Sequence, residues 1–451
     1  MANSYLDRTL GTPTNQYKYT ISAWVKRSAL GSNQTIFGVG DDGQNNAMLK
    51  FTSDDQIQIY DHISNTDKMN YKTNRLFRDT SAWYHILVSS DRTLGSPSTQ
   101  IWVNGVQETS FASSNEYSQN DPGKFNTAVP HYVGAYTVGQ QIYDGYISHF
   151  VFVDGSVVAP TAFGETDATS GIWKFKAPSG VTFGNNGIHL KFENSGNLGL
   201  DSSGNTNNMN TNGNLKQALD TPSNVYAVFN PLDNYYGGST FENANTTVYT
   251  SSSAYGINKT NIGVDSGKWY WEVKIGSNDG SGNNWYAVGI SGQEITGTNQ
   301  ELGKYNYQIG YYGDDGSIRK NSTNLSTGTT FTTNDIIGVA MDLNNNKIYF
   351  HKNGTYINTV SGYQGNPTTG QNGFDITANP PDGFYFPCVG DWDNNNRFYF
   401  HANFGNGYFA TTAVSSNSGA GEQDDGGEGI FEYDVPAGYR ALNTKNINTY
   451  G

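Results

Sequence analysis

Two Asn-Gly turns constrain this chain more than any other feature of its sequence. The stretch NKIYFHKNGTYI, from Asn346 to Ile357, places Asn-Gly between two short β-prone runs, and TQIWVNGVQE, from Thr99 to Glu108, repeats the arrangement in the first half. Asn-Gly between such runs is the strongest short-range signal for a tight β-hairpin, because both turn residues must tolerate a positive φ. The sequence therefore predicts hairpin-built β structure in both halves.

The composition favours an all-β fold with long polar loops. Of the 451 residues, 14% are aromatic and 54 are glycines, which supply turns. A chain of this length holds two or three domains at about 100–200 residues per domain. Many short strands with frequent turn signals are typical of β-sandwiches and barrels. The single cysteine, Cys388, excludes an internal disulfide, and its apolar surroundings predict a buried thiol.

The charge balance narrows the range of partners. The formal net charge is −14, and the 26 lysines and arginines form no clear basic run. Binding along a phosphate backbone depends on such residues displacing counterions, so we expect no nucleic acid partner. No stretch approaches the about 20 apolar residues of a membrane span. The start, MANSYLDRTLGTP, lacks a signal-peptide pattern, so we expect synthesis in a cytoplasm and no membrane insertion.

Alternating large and small residues predict half-buried antiparallel strands along the first half. In YKYTISAWVKRS, for example, one face carries Tyr19, Ile21, Ala23 and Val25, and the other carries Trp24. Four ordered motifs, YTISAWVKRS, WYHILVSSDRT, IWVNGVQ and YDGYISHFVFVDGSVVAP, resemble the laminin-G-like, concanavalin A-like jellyroll family. The resemblance implies a β-sandwich over residues 1–177. Members of that superfamily bind sugars or proteins, so the ligand stays open.

Residues 178–224 are predicted to form a connecting segment. The stretch GIHLKFENSG has the pattern of one strand, and an Asn/Gly/Ser-rich stretch and LDTPSN follow it with the composition of a linker.

After Asn224 the strand pattern resumes. In IIGVAMDL, one face carries Ile337, Val339, Met341 and Leu343. The phrases GKWYWEVKI, VGIS, DIIGVAMDLNNNKIYFHKNG, YFPCVG and ANFG resemble the SPRY family, which implies a second sandwich over residues 225–440 and a C-terminal tail of residues 441–451. The predicted fold class is therefore all-β, with two tandem concanavalin A-like antiparallel β-sandwiches, a laminin-G-like jellyroll followed by SPRY.

A further resemblance rests on the pairing of the two modules, together with the start and the tail of the chain. The start MANSYLDRTLGTPTNQYKYTISAWVKRS and the tail EGIFEYDVPAGYRALNTKNINTYG are similar to structural proteins of marine bacteriophages and related viruses. This resemblance implies a virion surface protein, as a capsid fibre, a decoration or a tail fibre, that attaches to host-cell surfaces by binding a glycan. The partners it implies are other capsid or tail proteins, a host surface glycan or protein, and further copies of the chain.

A binding surface is predicted where loops gather at one end of the SPRY sandwich, because loops carry binding on a rigid scaffold. The candidate loops are SNDGSGNNW (277–285), GYYGDDGS (310–317) and GDWDNNN (390–396). The predicted ligand-binding residues are Trp285, Tyr311, Tyr312, Asp391, Trp392, Asp393 and Asn394. An alternative left open is that Trp285 and Trp392 belong partly to the core and cap the sandwich end.

Two Asx-rich stretches raise the question of a bound cation. DWDNNN (391–396) and DLNNN (342–346) offer oxygen atoms at alternate positions, as calcium requires. Neither has the glycine at position 6 or the glutamate at position 12 of an EF-hand loop. Hairpin tips rich in Asn and Asp explain both stretches without a metal. The seven histidines show no paired metal spacing. We therefore predict no metal and no cofactor, with calcium as the alternative.

The sequence favours a protein without catalytic activity. A retaining glycosidase needs two carboxylates that face each other across a cleft. The nearest approach to the glucanase pattern E-x-D-x-x-E is ETDATS, from Glu165 to Ser170, which lacks the final acid. No G-x-S-x-G nucleophile elbow occurs, and the G-x-G-x-x-G match from Gly38 to Gly43 precedes a strand rather than a helix. The alternatives are a purely structural capsid or tail cement protein and a polysaccharide depolymerase spike.

Overall fold

The computed structural model describes residues 4–233, 238–251, 255–278, 284–295, 300–358, 362–393, 396–415 and 423–451. The chain is 45% strand and 3% helix, which confirms the predicted all-β class. Its internal contacts divide it into two compact units, one ending at Gln217 and the other beginning at Ala218. Each unit has its own hydrophobic core.

The first unit is built from antiparallel sheets. Its strands are β1 (Tyr5–Thr9), β2 (Lys18–Arg27), β3 (Gln34–Asp42), β4 (Asn45–Phe51), β5 (Gln56–Ile63), β6 (Thr66–Leu76), β7 (Trp83–Asp91), β8 (Thr99–Val103), β9 (Val106–Gln107), β10 (Phe111–Asn115), β11 (Pro130–Val133), β12 (Gly145–Asp154), β13 (Gly164–Thr166), β14 (Trp173–Phe175), β15 (Ile188–Leu190) and β16 (Asn210–Asn212), with a 3₁₀ turn at Pro160–Ala162. One sheet has the order β10-β6-β5-β4-β3-β11-β1-β16 and another has the order β15-β12-β2-β7-β8-β9. Strands β13 and β14 form a separate hairpin.

Strand β2 shows how the first core is filled. Alternate residues of a strand point to opposite faces, and the predicted inward set, Tyr19, Ile21, Ala23 and Val25, lies in the core. Trp24 lies on the other face, where its ring stacks on the imidazole ring of His85 at a centroid distance of 5.0 Å. The predicted facing of this strand is confirmed.

Much of the segment predicted to be a connector is integrated into the first unit. Strand β15 pairs with β12, and strand β16, drawn from the Asn-rich stretch, pairs with β1. Leu190 and Met209 are buried in the core of the first unit. The Asn-rich stretch therefore extends a sheet, because its backbone completes the hydrogen bonding of β1.

The second unit has the same kind of architecture. Its strands are β17 (Thr240–Glu242), β18 (Thr247–Tyr249), β19 (Gly256–Lys259), β20 (Lys268–Asn278), β21 (Tyr286–Ser291), β22 (Gln308–Tyr312), β23 (Ser317–Lys320), β24 (Thr323–Thr327), β25 (Ile336–Asp342), β26 (Lys347–Lys352), β27 (Thr355–Tyr356), β28 (Phe374–Asp375), β29 (Phe386–Asp391), β30 (Phe398–Asn403), β31 (Tyr408–Phe409), β32 (Thr412–Ala413) and β33 (Arg440–Ala441), with a 3₁₀ turn at Pro231–Asp233 and one helix assigned in the described residues, α1 (Thr444–Tyr450). One sheet runs β17-β18-β30-β20-β25-β26-β27, and another runs β19-β29-β21-β22-β23-β24.

The second core confirms the predicted facing of strand β25. The inward residues of β25 and the residue after it, Ile337, Val339, Met341 and Leu343, lie in this core. Cys388 is also buried, and burial raises the pKa of its thiol well above the ordinary value. The predicted role of this cysteine as a small buried side chain is therefore confirmed.

The last residues of the chain are docked rather than free. Strand β33 pairs in parallel with β20, and Leu442 is fully buried. Helix α1 begins after Asn443, whose side-chain oxygen accepts the backbone N–H of Asn446 at 2.9 Å. The predicted tail therefore belongs to the second unit. Within the ranges given above, no helix has the length and apolar character needed to cross a bilayer.

Both Asn-Gly turns have the predicted conformation. Asn104 and Gly105, between β8 and β9, have φ values of 48° and 76°. Asn353 and Gly354, between β26 and β27, have φ values of 48° and 83°. Positive φ at both central residues is what a two-residue hairpin of the primed type requires. The two units therefore each contain a tight hairpin with an Asn-Gly turn of the same type.

Candidate functional site

Three strand ends of the second unit bring two predicted site residues together. In the sheet, Tyr286 of β21 pairs with Asp391 of β29, and Ala287 pairs with Tyr312 of β22. Because paired strands lie about 4.8 Å apart, Trp285 and Trp392 become neighbours, each one residue beyond a paired position. The backbone N–H of Trp392 donates to the carbonyl of Trp285 at 3.1 Å. The structure therefore brings these two predicted ligand-binding residues together at one end of the sandwich.

Four side chains at this end, Trp285, Tyr312, Arg319 and Trp392, form what we call the aromatic–arginine cluster. The indole rings of Trp285 and Trp392 meet edge to face, with centroids 6.3 Å apart and planes at 68°. The Trp392 ring lies 4.7 Å from the Tyr312 ring. The guanidinium carbon of Arg319 lies 4.0 Å from the Tyr312 centroid and 4.4 Å from the Trp392 centroid. The cation therefore contacts two aromatic rings at favourable cation–π distance.

The two tryptophans differ in how they meet solvent. Trp285 is 37% exposed, whereas Trp392 is half-buried and packs against a hydrophobic cluster that includes Leu302 and Cys388. The alternative that these residues cap the sandwich end therefore describes Trp392 but not Trp285. An indole this exposed, supported by a second indole, offers a flat apolar face to a ligand.

Carboxylates surround the guanidinium of Arg319. Its Nη2 lies 2.7 Å from Asp315 Oδ2, its Nη1 lies 3.6 Å from Glu301 Oε2, and its Nε donates to Ser317 Oγ at 2.7 Å. Burial acts to raise the pKa of Asp315, but hydrogen bonds from Ser317 and Arg319 outweigh it, and the pKa falls below its ordinary value. Burial and the charge of Asp315 raise the pKa of Asp314. The cluster therefore has an acidic rim.

The predicted placement of Tyr311 and Tyr312 in a binding loop is wrong. Both residues end strand β22, where Tyr311 is 0% exposed and Tyr312 is 1% exposed. Tyr311 points into the core, and its hydroxyl donates to the carbonyl of Thr329. Successive strand residues face opposite sides, so Tyr312 faces the cluster instead. Tyr311 is therefore removed from the candidate site, and Tyr312 remains as an internal support.

The predicted polar ligands are turned into the protein. Asp391 is 2% exposed and Asp393 is 3% exposed. Asp391 Oδ1 accepts the backbone N–H of Asp393 at 2.7 Å, and Asp393 Oδ2 accepts from the side chain of Asn396 at 2.6 Å. These carboxylates hold the turn that carries Trp392, so we no longer assign them to direct contact with a partner. The remaining predicted residue, Asn394, lies outside the described residues.

The Asx-rich stretches have structural roles as turns. Asp342 lies 3.0 Å from the ammonium of Lys268, and its carboxylate accepts both the backbone and the side-chain N–H of Asn345. Across the part of the chain that the structure describes, no group of three or more His, Cys, Asp or Glu side chains is arranged to hold a metal ion. The contacts of Asp342 are those of an Asx turn.

The acids of ETDATS stabilise a hairpin. Glu165 and Asp167 both approach the ammonium of Lys174, at 3.5 Å and 3.2 Å. Asp167 also accepts the backbone N–H groups of Ser170 and Thr169, and these hydrogen bonds, together with Lys174, lower its pKa below the ordinary range. A general acid needs a raised pKa rather than a lowered one, so Asp167 does not have the character of a glycosidase acid.

Arg319 and Glu301 are the residues of this site that sequence reasoning missed. Tyr312 and Arg319 are drawn together because β22 and β23 pair, with Gly310 opposite Arg319. Period-two facing then places Arg319 on the same side as Tyr312. The signal in the sequence was the stretch GDDGSIRK, which reads as a hairpin turn followed by a strand. Nothing local indicated Glu301, which reaches the cluster from a separate segment.

Comparison with known families supports both units. Residues 2–161 match the concanavalin A-like lectin/glucanases superfamily, and residues 268–365 match the SPRY domain family. Ran-binding protein 9 of Danio rerio is 39% identical over 89 residues, which are 20% of this chain and 14% of that protein. Ran-binding protein 9 of Xenopus laevis is 36% identical over 107 residues, which are 23% of this chain and 19% of that protein. The chain thus spans less than a fifth of the length of these two relatives.

Solved structures include similar domains. The SPRY domain of human HERC1 is 22% identical, with a TM-score of 0.31, and the match covers 39% of this chain and 96% of that one. Domain 4 of AbnA, a GH43 extracellular arabinanase from Geobacillus stearothermophilus, is 20% identical, with a TM-score of 0.25, over 32% of this chain and 63% of that one. On the family matches, the first unit contains a laminin-G-like domain of the concanavalin A-like superfamily, and the second contains a SPRY domain.

Proposed function

We propose that this chain is a non-enzymatic recognition protein whose second unit binds its partner through the aromatic–arginine cluster. The observation that carries the proposal is the 37% exposure of Trp285, whose indole is held edge to face against Trp392 where three strand ends meet. Exposed tryptophans on a rigid support are typical centres of binding surfaces. The SPRY match and the Ran-binding protein relatives support protein interactions in general.

We further propose that the protein acts on the surface of a virion and attaches it to host cells by binding a surface glycan. The support is the resemblance of the start and the tail of the chain to structural proteins of marine bacteriophages, together with the lectin-type fold of the first unit. A flat indole face stacks on the apolar face of a sugar ring, and neighbouring polar groups set its orientation. The cluster meets the first of these requirements.

The cell-binding test uses the labelled full chain and a panel of marine bacterial strains. Trp285→Ala is expected to weaken binding to a recognised strain by about ten-fold or more, as truncation of a central tryptophan does. Tyr363→Ala is the matched control, because Tyr363 is 67% exposed and adjoins Gln364, which forms an isolated bridge with Asn358 just after β27, a strand of the other sheet of this unit. Equal binding by wild type and Trp285→Ala would contradict the proposal.

Further measurements separate the alternatives. Mass spectrometry of gradient-purified particles, from a phage that encodes this chain, is expected to recover it at a fixed ratio to the major capsid protein. Recovery in particles together with failure to bind any cell would favour a structural cement protein. Release of reducing sugar from host exopolysaccharide would instead establish a depolymerase. Removal of surface polysaccharide from the cells is expected to abolish binding, whereas protease treatment would abolish it if the ligand were a protein.

A further inference from the structure

We propose that Arg319 is a positioning residue: its guanidinium clamps Trp392, and through Trp392 it holds Trp285 in the orientation that meets the partner. Arg319 itself does not contact the partner. This inference rests on the proposed function of the aromatic–arginine cluster. Within that cluster it assigns partner contact to Trp285 and positioning to Arg319. It also predicts that acidic groups on a ligand are not what the cluster selects.

The first step concerns the aromatic contacts of Arg319. A planar guanidinium can lie against aromatic rings in a way that an ammonium group cannot. Here the guanidinium carbon lies 4.0 Å from the Tyr312 centroid and 4.4 Å from the Trp392 centroid, and the two rings are themselves 4.7 Å apart. Tyr312 is fixed by burial and by the hydrogen bond from its hydroxyl to the carbonyl of Leu302. Arg319 therefore ties the half-buried indole to a rigid strand.

The second step concerns the polar contacts of Arg319. Each of its three guanidinium nitrogens has an oxygen neighbour: Ser317 Oγ at 2.7 Å, Asp315 Oδ2 at 2.7 Å and Glu301 Oε2 at 3.6 Å. Only 19% of its side chain is exposed. A guanidinium that is already matched by two carboxylates does not serve as a free cation for a sulfate or phosphate group. These contacts point to an internal clamp and to a neutral sugar as the preferred ligand.

The third step links the clamp to the exposed indole. Trp392 contacts Trp285 through its ring, at 6.3 Å between centroids, and through its backbone N–H, at 3.1 Å from the Trp285 carbonyl. Loss of the guanidinium would remove one of the groups that pack on Trp392 and free its indole to change rotamer. Since Trp285 packs edge to face on that indole, its own orientation would become less defined. A less pre-organised surface binds more weakly, because ordering it costs entropy on binding.

The experiment compares two substitutions of Arg319 in the full chain. Arg319→Gln removes the charge, and Arg319→Lys keeps the charge but lacks the planar group. A positioning role that depends on stacking predicts that both variants weaken cell binding by about ten-fold, with no rescue by lysine. Arg440→Gln is the matched control, because Arg440 makes the same two kinds of contact as Arg319. Its guanidinium lies 4.5 Å from the Tyr450 ring and 3.1 Å from Asp425 Oδ2.

The second readout is ¹⁹F NMR of protein labelled with 5-fluorotryptophan. The chain has eight tryptophans, and the resonances of Trp285 and Trp392 are assigned by their loss in the corresponding phenylalanine variants. Both Arg319 variants are expected to shift or broaden these two resonances and to leave the other six unchanged. The unchanged resonances also show that the variants fold.

The outcomes separate this inference from the proposed function. Retained binding in Arg319→Lys with lost binding in Arg319→Gln would overturn the inference, because it would show that the charge itself is recognised. Retained binding and unchanged resonances in both variants, with lost binding in Trp285→Ala, would overturn the inference and leave the proposed function intact. Retained binding in Trp285→Ala would overturn both. Tighter binding to a sulfated glycan than to its neutral counterpart would overturn the expected ligand class.

Discussion

Asn353 binds the backbone of Ile336 through both its own backbone N–H and its side-chain oxygen. The backbone N–H of Asn353 donates to the Ile336 carbonyl at 2.9 Å, and Asn353 Oδ1 accepts the Ile336 N–H at 2.8 Å. In the first unit, Asn104 forms the same two bonds with His85, at 2.9 Å and 2.8 Å. Each Asn-Gly turn therefore does more than reverse the chain: its asparagine also completes the ladder of the neighbouring strand.

We expect Asn353→Ala to destabilise the second unit by about 2 kcal/mol. The substitution removes the acceptor for the Ile336 N–H, which is worth about 1 kcal/mol, and it places alanine at a φ of 48°, which costs about 1–2 kcal/mol. Asn353→Gly separates the two causes, because glycine tolerates this φ but lacks the acceptor. Urea unfolding of both variants measures the effect. An alanine variant as stable as wild type would contradict the assigned role of the asparagine.

The buried carboxylate of Glu272 predicts a pH-dependent stability of the second unit. It accepts the backbone N–H groups of Glu432 and Tyr433, both at 2.9 Å, and the Tyr270 hydroxyl at 3.0 Å. Burial nevertheless raises its pKa from 4.5 to about 7. The folded state therefore binds this proton more tightly than the unfolded state, and the resulting stability is present below pH 4.5 and is lost as the pH rises through 7.

The measurement compares wild type and Glu272→Gln by urea unfolding at pH 4.5 and pH 8. The free energy of unfolding of wild type relative to the variant should fall by about 3 kcal/mol over this range, since a rise of one pKa unit corresponds to about 1.4 kcal/mol. Asp424→Asn is the control, because Asp424 also accepts backbone N–H groups in this unit, at 2.7 Å from Glu428 N and 2.9 Å from Ala441 N. A pH-independent difference between wild type and Glu272→Gln would show that Glu272 does not take up a proton in this range.

His85 predicts the opposite pH dependence in the first unit. Its Nε2 lies 2.9 Å from Ser22 Oγ, and its Nδ1 accepts the indole N–H of Trp173 at 3.1 Å. Burial lowers the pKa of His85 from 6.5 to about 3. The stability that it contributes is therefore present above pH 6.5 and is lost as the pH falls, because the unfolded state then gains a proton that the folded state excludes.

Hydrogen exchange of strand β7 is the measurement for this prediction. Between pH 6.5 and pH 4.5 the wild type is expected to lose about 2 kcal/mol of protection that His85→Gln does not lose. His62→Gln is the matched control, because His62 is only half-buried and lies at the sheet surface beside Asp67, at 2.7 Å. Equal losses in wild type and His85→Gln would contradict the assignment.

Phe37 is expected to be among the costliest truncations in the first unit. Its ring is fully buried and lies 5.0 Å from Phe150 and 5.4 Å from Phe152. Phe37→Ala should lower the free energy of unfolding by about 3–5 kcal/mol, because it removes buried apolar contacts and leaves a cavity. Leu94→Ala, at a residue that is 57% exposed, should cost far less. A loss under 1 kcal/mol for Phe37→Ala would mean that the core refills the space.

The candidate site could be predicted only in part. Trp285 and Trp392 were accessible to sequence reasoning because each follows or precedes a strand at a polar turn. The burial of Tyr311 was not accessible in this way, because it depends on where β22 ends, and strand ends are poorly marked in a sequence. The contact between Tyr312 and Arg319 depends on the register of β22 with β23, which pairing in the folded protein establishes.

The sequence by itself determined the all-β class, the inward faces of strands such as β2 and β25, and the two Asn-Gly turns, because alternation and positive φ are properties of neighbouring residues. Only the tertiary structure decided that β16 pairs with β1, that Leu442 enters the second core, and that Arg319 lies between Tyr312 and Trp392. Burial and pairing of this kind join residues far apart in the chain, and local patterns carry no record of which distant segment will cover them.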